Sequence, residues 1–282
     1  MDLLHIVILA IVQGVAELLP VSSSAHVIVA EKLMGLDPTA PRMTLLLVML
    51  HTGTMFAVIV HFWSIWRETY FSSMATFRRQ ALLVVVATAL TGVVGLSLQA
   101  AIKHLFFGGS SSFEIEHLFG NARLMAAALA AAGLLIIVSS RFKERETGEL
   151  SLRSAAWIGA VQGLCLPFRG FSRSGATIST AIALGVNRRR AESFSFALAV
   201  VITPAVIAKE AWRVYKDHLL TGAAQQAGGL VQALTPGLLG MVFSFAAGLL
   251  ALRWLTRWLQ TDRWYLFGAY CMVAAVVVLI VG

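Results

Sequence analysis

Gln13-Gly14-Val15-Ala16-Glu17-Leu18-Leu19-Pro20-Val21-Ser22-Ser23-Ser24-Ala25-His26 decides how this chain folds. The stretch interrupts an apolar run from about 3 to 35. Pro20 cannot continue a helix, and a serine after it can start the next one. A second apolar run, about 153 to 187, breaks in the same manner at Pro167-Phe168-Arg169-Gly170-Phe171-Ser172-Arg173-Ser174-Gly175. A crossing of the hydrocarbon needs about 20 mostly apolar residues. Each half-run is shorter, so both regions are predicted to be re-entrant helical hairpins whose tips lie within the membrane.

Working outward, six stretches read as full crossings: about 43 to 62, 80 to 102, 121 to 140, 193 to 212, 233 to 253 and 264 to 281. Of the 282 residues 58% are hydrophobic and 13% charged, which excludes an ordinary soluble domain. The expected architecture is therefore all-α: a single polytopic membrane domain over 1-282, with six transmembrane helices and two re-entrant hairpins. Gly237 and Gly240, and Gly92 with Gly95, suit close helix approach. The net charge of +8 fits basic loops of a membrane protein better than nucleic-acid binding. Cys165 and Cys271 lie far apart in apolar segments and read as packing residues. The start, Met1-Asp2-Leu3-Leu4-His5, lacks the basic region of a cleaved signal peptide and is expected to be retained.

The two broken regions resemble each other. Val12-Gln13-Gly14-Val15 recurs as Val161-Gln162-Gly163-Leu164, and Ser22-Ser23-Ser24 as Ser172-Arg173-Ser174, at offsets of 149 and 150 residues. This suggests a duplicated unit of one hairpin and three crossings, repeat 1 over about 3-140 and repeat 2 over about 153-281. Three crossings put the second unit on the opposite face, so the repeats are inverted and their tips can meet near the midplane. Under this layout one face, with Arg67, Arg78, Arg79 and Arg188 to Arg190 among others, holds thirteen Lys and Arg. The other holds seven, from Lys32 to Lys216. The first should be cytoplasmic and both termini outside.

An ionisable side chain at hydrocarbon depth costs roughly 2.5 to 3.5 kcal/mol, so it persists mainly where it pairs or acts. Glu17, His26, Arg169 and Arg173 are the candidates, and Gln13 shares a helix face with Glu17. The second tip offers Gly170, Ser172, Arg173, Ser174, Gly175 and Thr177. Glycines admit close backbone approach, hydroxyls donate, and arginine is a bidentate clamp. A helix N-terminus with these groups suits a phosphate, and the membrane location suits a lipid-borne one. A phosphoric anhydride needs its charge neutralised, a nucleophile in line and a proton carried, which Arg, Ser or water, and His can supply. Glu17 with Gln13 could orient the base or touch Mg2+, but one carboxylate makes no cage, which favours a metal bridged through the substrate.

Plainer readings stand beside these. Ser22, Ser23 and Ser24 each suit helix capping. His51 and His61 read as satisfied core residues. Arg188 to Arg190 read as orientation charges, and Trp63, Trp66, Trp254, Trp258 and Trp264 as interfacial anchors. Phe168 and Phe171 suit either an isoprenoid chain or packing.

The segment from Gln13 to His26 resembles the [E/Q]-x-x-x-E and P-V-S-S-x-x-H motifs of the bacterial undecaprenyl pyrophosphate phosphatases, the bacitracin-resistance proteins. Gly170-Phe171-Ser172-Arg173-Ser174-Gly175-Ala176-Thr177 is similar to their second motif, P-G-x-S-R-S-x-x-T, and the likeness spans essentially the whole chain. The resemblance implies removal of the terminal phosphate of undecaprenyl pyrophosphate from the periplasmic face of the inner membrane, recycling the cell-wall carrier lipid. It also implies a divalent cation, Mg2+ or Ca2+. By position Glu17 matches the family's essential acid, His26 its histidine, Ser23 a proposed nucleophile and Arg173 the phosphate-binding arginine. Gln13, Ser22, Ser24, Arg169, Gly170, Ser172, Ser174 and Thr177 fall to substrate binding. Serine, histidine and water all remain open as the attacking group. Where the family motif begins with Pro, this chain has Arg169, which would add a clamp, reshape the tip or change the substrate.

Two other functions compete. Inverted repeats with broken hairpins also suit a lipid-phosphate translocase. The other large lipid-phosphatase class has a signature resembling P-S-G-H and S-R-x-x-x-x-x-H, but the position six after Arg173 is Ser179, so its second histidine is absent.

Overall fold

The computed structural model describes residues 2–36, 41–107, 121–142, 147–220, 229–260 and 263–281. The side chains at 41, 42, 44, 106, 107, 206, 209–211, 213–220, 229–234 and 260 lie outside that description. Lys143 and Arg145, counted above for orientation, fall outside it, as do the side chains of Arg42, Lys209, Arg213 and Lys216.

The described residues form ten α-helices and no strand. The first apolar run becomes α1 (Leu3–Leu18) and α2 (Ser23–Leu33), and the second α6 (Leu152–Leu164) and α7 (Arg173–Ala183). The long helices are α3 (Pro41–Tyr70), α4 (Met74–Phe107), α5 (Ala122–Ser139), α8 (Arg188–Leu220), α9 (Gly229–Gln260) and α10 (Trp264–Val281). At about 1.5 Å per residue, neither α2 nor α7 can span a core about 30 Å thick. Both breaks thus fall where the sequence puts them, with α1 packed on α2 and α6 on α7.

Five segments are long and apolar enough to cross a membrane: Leu45–Tyr70, Met74–Leu105, Ala122–Ser139, Thr235–Leu259 and Trp264–Val281. The sixth expected crossing, 193 to 212, lies inside α8, where several side chains are outside the description. The α3 and α4 helices outrun the stretches expected from hydropathy, because their polar ends continue the helix beyond the apolar window.

Contacts between helices are close because small residues face one another. Gly14 of α1 lies where a Cβ would stand 2.7 Å from both Ala247 Cβ and Ser244 O of α9. Its sequence counterpart, Gly163 of α6, lies where a Cβ would be 3.0 Å from Gly95 N of α4. Gly237 and Gly240 of α9 press on Met49 and on Leu46 and Leu50 of α3, as expected, whereas Gly92 faces open space and takes no part. At Gly159 a side chain would run into the Ala87 backbone. Gly159→Val should therefore force α6 off α4 and destabilise the protein by about 1 to 3 kcal/mol. Thermal unfolding in detergent checks this, and an unchanged midpoint would contradict the packing described.

The tryptophans divide. Trp63 and Trp254 are exposed, as anchors should be. Trp66 and Trp264 are buried instead. Trp66 Nε1 donates to Ser193 Oγ at 3.0 Å, and Trp264 Nε1 donates to Ser139 and Ser179 hydroxyls at 3.2 Å each. A buried indole needs such a partner. Arg188, read as an orientation charge, is also buried, its Nη1 donating to Leu259 O at the C-terminal end of α9 at 3.1 Å. Arg79 and Arg190 meet Glu149 at 3.1 and 3.5 Å, so three basic segments share one face. The hydrogen bond from Arg79 is the main reason the exposed Glu149 carboxyl sits below its ordinary value.

Candidate active site

The two hairpin tips touch. Arg173, the first residue of α7, donates from Nη2 to Glu17 Oε1 at 2.7 Å across 156 positions of chain. Ser174 Oγ donates to Leu19 O at 3.3 Å, a second tie between the tips.

Glu17, near the end of α1, is the hub. Gln13 lies one helical turn earlier and donates Nε2 to Oε2 at 3.2 Å, as the spacing of four predicts. Ser23, at the start of α2, donates Oγ–H to the same oxygen at 2.5 Å. Glu17 and Arg173 keep 17% and 21% of their side-chain surface, so the pair is sheltered but reachable. The other guanidinium nitrogen, Nη1, is buried and has no hydrogen-bond partner. A buried donor left unmet costs about 1 to 3 kcal/mol. An orphaned buried donor of this kind calls for an acceptor that the described residues do not supply.

The backbone is shaped for this. Ser22 precedes α2 at φ 68, alone in the left-handed region among described non-glycine residues. That placement costs about 1 to 3 kcal/mol and is common at functional sites. The expectation that a serine side chain caps α2 fails here. Ser22 stands at the cap position without a side-chain cap bond, and its carbonyl accepts from His26 Nδ1. At the second tip the expectation holds, with Ser172 Oγ accepting from Gly175 N at 3.2 Å. Gly170 has φ 102, and any Cβ there would meet Met125 O, so glycine is required.

The remaining expected residues spread around this hub. Thr177 Oγ1 donates to Arg173 O at 2.8 Å and shares a 2.6 Å hydrogen bond with Ser195, bracing the start of α7. Ser24 is half-buried on the first turn of α2. Arg169 is exposed, and its charge acts on Glu31 of α2. His26 Nδ1 donates to Ser22 O at 2.8 Å, and Tyr270 of α10 meets its Nε2 at 2.7 Å. Its ring nitrogens thus engage Ser22 and Tyr270 rather than Glu17.

Sequence reasoning missed two residues. Tyr270 carries no local signal, being one aromatic among many in α10. His51 is the larger correction: read as a core histidine, it stands with Nε2 3.7 Å from Glu17 Oε2 and 38% of its side chain exposed. His61, by contrast, is satisfied as expected, its Nε2 3.3 Å from Thr256 Oγ1.

A side-chain-held metal does not fit. Among the described residues no three His, Cys, Asp or Glu converge. Both Glu17 oxygens already accept from Arg173, Ser23 and Gln13, so donors surround this carboxylate.

A 65% identical relative in Acinetobacter baylyi, aligned over 99% of this chain and 98% of its own length, is named undecaprenyl-diphosphatase 2. Undecaprenyl-diphosphatases of Gluconacetobacter diazotrophicus and Rhodopirellula baltica are 33% and 30% identical, over 98% and 100% of this chain and 96% and 98% of their own. Residues 6–277 match the family model of bacitracin resistance protein BacA. Taken with the two joined hairpin tips, that match across nearly the whole length means that the chain belongs to the BacA family of bacitracin resistance proteins.

Proposed function

We propose that this membrane protein hydrolyses the terminal phosphate of undecaprenyl pyrophosphate, yielding undecaprenyl phosphate and inorganic phosphate. The observation that carries the reading is Arg173, which holds Glu17 with one nitrogen and keeps the other buried and unmet. That arrangement suits a pyrophosphate oxygen. The relatives' names favour hydrolysis over the translocase alternative.

Ser23 is the nucleophile on this reading and Glu17 its base, because the Ser23 hydroxyl already points its proton at the carboxylate. Arg173 neutralises charge developing on the transferred phosphoryl group. His26 exchanges the Tyr270 hydroxyl for a substrate oxygen. Gln13 holds Glu17 in place, while Ser172 and Thr177 hold the α7 start on which Arg173 sits. A divalent cation, Mg2+ or Ca2+, would be brought by the pyrophosphate, whose charge it would help to neutralise.

The inverted duplication is supported by reciprocal packing, α1 on α9 and α6 on α4, α5 on α7 and α10 on α2. The meeting of Arg79, Glu149 and Arg190 supports a common basic face, cytoplasmic by its charge. Both termini and the site then face the periplasm across the inner membrane.

Purified protein in detergent should release phosphate from undecaprenyl pyrophosphate and none from undecaprenyl phosphate, and a chelator should slow release. Folded protein that releases none, yet moves the lipid between vesicle leaflets, would overturn the reading in favour of translocation.

A further inference from the structure

A base that takes a proton must also lose it, and Glu17 is badly placed to do so alone. Arg173, Gln13 and Ser23 all donate to it, and once Ser23 Oγ is bonded to phosphorus none of them can take the proton back. His51 is the exception. It reaches the hub from α3, an element with no part in either hairpin. Its Nδ1 donates to Leu47 O at 2.8 Å one turn back, which fixes the ring and makes Nε2 the nitrogen with a free lone pair. Nε2 faces Glu17 Oε2, the same oxygen that receives the Ser23 hydroxyl. The separation of 3.7 Å is one that a small shift or a single water closes. At 38% exposure the His51 side chain is also more open than Glu17 at 17%.

We propose that His51 is the proton relay of this site, receiving at Nε2 the proton that Glu17 takes from the nucleophile and passing it to solvent. The proposal rests on the pyrophosphatase reading and adds the route by which the base is reset. In the first half-reaction Ser23 Oγ forms its bond to the terminal phosphorus, and its proton moves to Glu17 Oε2. The bridging P–O bond breaks, its electron pair leaving on undecaprenyl phosphate. Glu17 hands the proton to His51 Nε2 and is a carboxylate again. In the second half a water attacks the phosphoserine. Glu17 takes one water proton and returns it to Ser23 Oγ as the Oγ–P bond breaks, releasing hydrogen phosphate. The proton on His51 then passes to water, so one proton is released per turnover. His51 acts through Glu17, and is therefore a positioning and relay residue rather than one that touches the reacting phosphorus.

The test uses full-length protein in detergent with undecaprenyl pyrophosphate, and compares wild type, His51→Gln and His51→Ala. Glutamine keeps a polar group beside Glu17 but cannot carry the proton. Loss of a proton carrier should lower kcat about 100-fold while leaving KM within roughly threefold. Free imidazole should restore His51→Ala by about tenfold or more, and should leave Glu17→Gln unaltered. A purely structural role would raise KM or unfold the protein, and would not respond to imidazole. Wild-type kcat in His51→Gln, or a folded His51→Ala deaf to imidazole, overturns the relay while leaving the pyrophosphatase reading in place. A wild-type protein releasing no phosphate overturns that reading itself, and the relay with it.

Discussion

Arg173→Ala is expected to abolish phosphate release from undecaprenyl pyrophosphate. The side chain is given two tasks in the proposed mechanism: Nη2 binds Glu17 Oε1 at 2.7 Å, and Nη1, buried and unmet, is the donor for a substrate oxygen. Removing a donor aimed at developing charge costs about 100- to 1,000-fold in kcat. Truncation also strips Glu17 of its partner, so the total loss should exceed that figure. Arg173→Lys separates the two contributions. Lysine brings a point charge that can meet Glu17 or the phosphate but lacks the planar fork for both, so it should fail substantially as well. Because truncation leaves a sheltered carboxylate unpaired, thermal unfolding must be followed in parallel. An Arg173→Met, Glu17→Gln double variant, with neither charge, should fold better than Arg173→Ala and remain inactive. Near-normal turnover by a folded Arg173→Ala protein would remove the arginine from the mechanism.

Glu17→Gln should be nearly as severe for a different reason. The amide keeps the volume and can still accept from Arg173 through its carbonyl, so the tip geometry should survive. It cannot take the Ser23 proton. Loss of a positioned base costs about 100- to 10,000-fold. The expected signature is a collapsed kcat with the melting temperature little changed and undecaprenyl pyrophosphate still bound. Turnover within a fewfold of wild type would show that the attacking group is activated elsewhere.

Much of this arrangement is legible in the chain because the membrane limits what a sequence can do. A proline and three serines inside an apolar run cannot continue a spanning helix, so a break at Leu19 to Ser22 follows from backbone chemistry. The spacing of Gln13 and Glu17 predicts their contact, and the inverted layout predicts that Arg173 meets the first tip. Local chemistry does not say which histidine points where. His26 and His51 are each a lone imidazole on an apolar helix, and only the packing of α3 and α10 against the hairpins turns one toward Glu17 and the other toward Tyr270. Ser22 escaped for a similar reason. Its residue type favours a cap, but it takes up a left-handed backbone at the turn and makes no side-chain cap bond. The tryptophans show the same limit: helix-end position suggests the interface for all, while Trp66 and Trp264 find buried hydroxyl partners on neighbouring helices.

The account depends most on the meeting of the two tips, and thiol crosslinking in native membranes measures that directly. With Cys165 and Cys271 replaced by alanine, Glu17→Cys and Arg173→Cys would be introduced together and treated with a bifunctional thiol crosslinker as long as the two side chains they replace. The ends of the Glu17 and Arg173 side chains touch at 2.7 Å, so a reagent that replaces their combined length should crosslink the pair within one chain, and either cysteine alone should not. Absence of that crosslink, in protein whose thiols both react with a small maleimide, would mean that the hairpins do not converge.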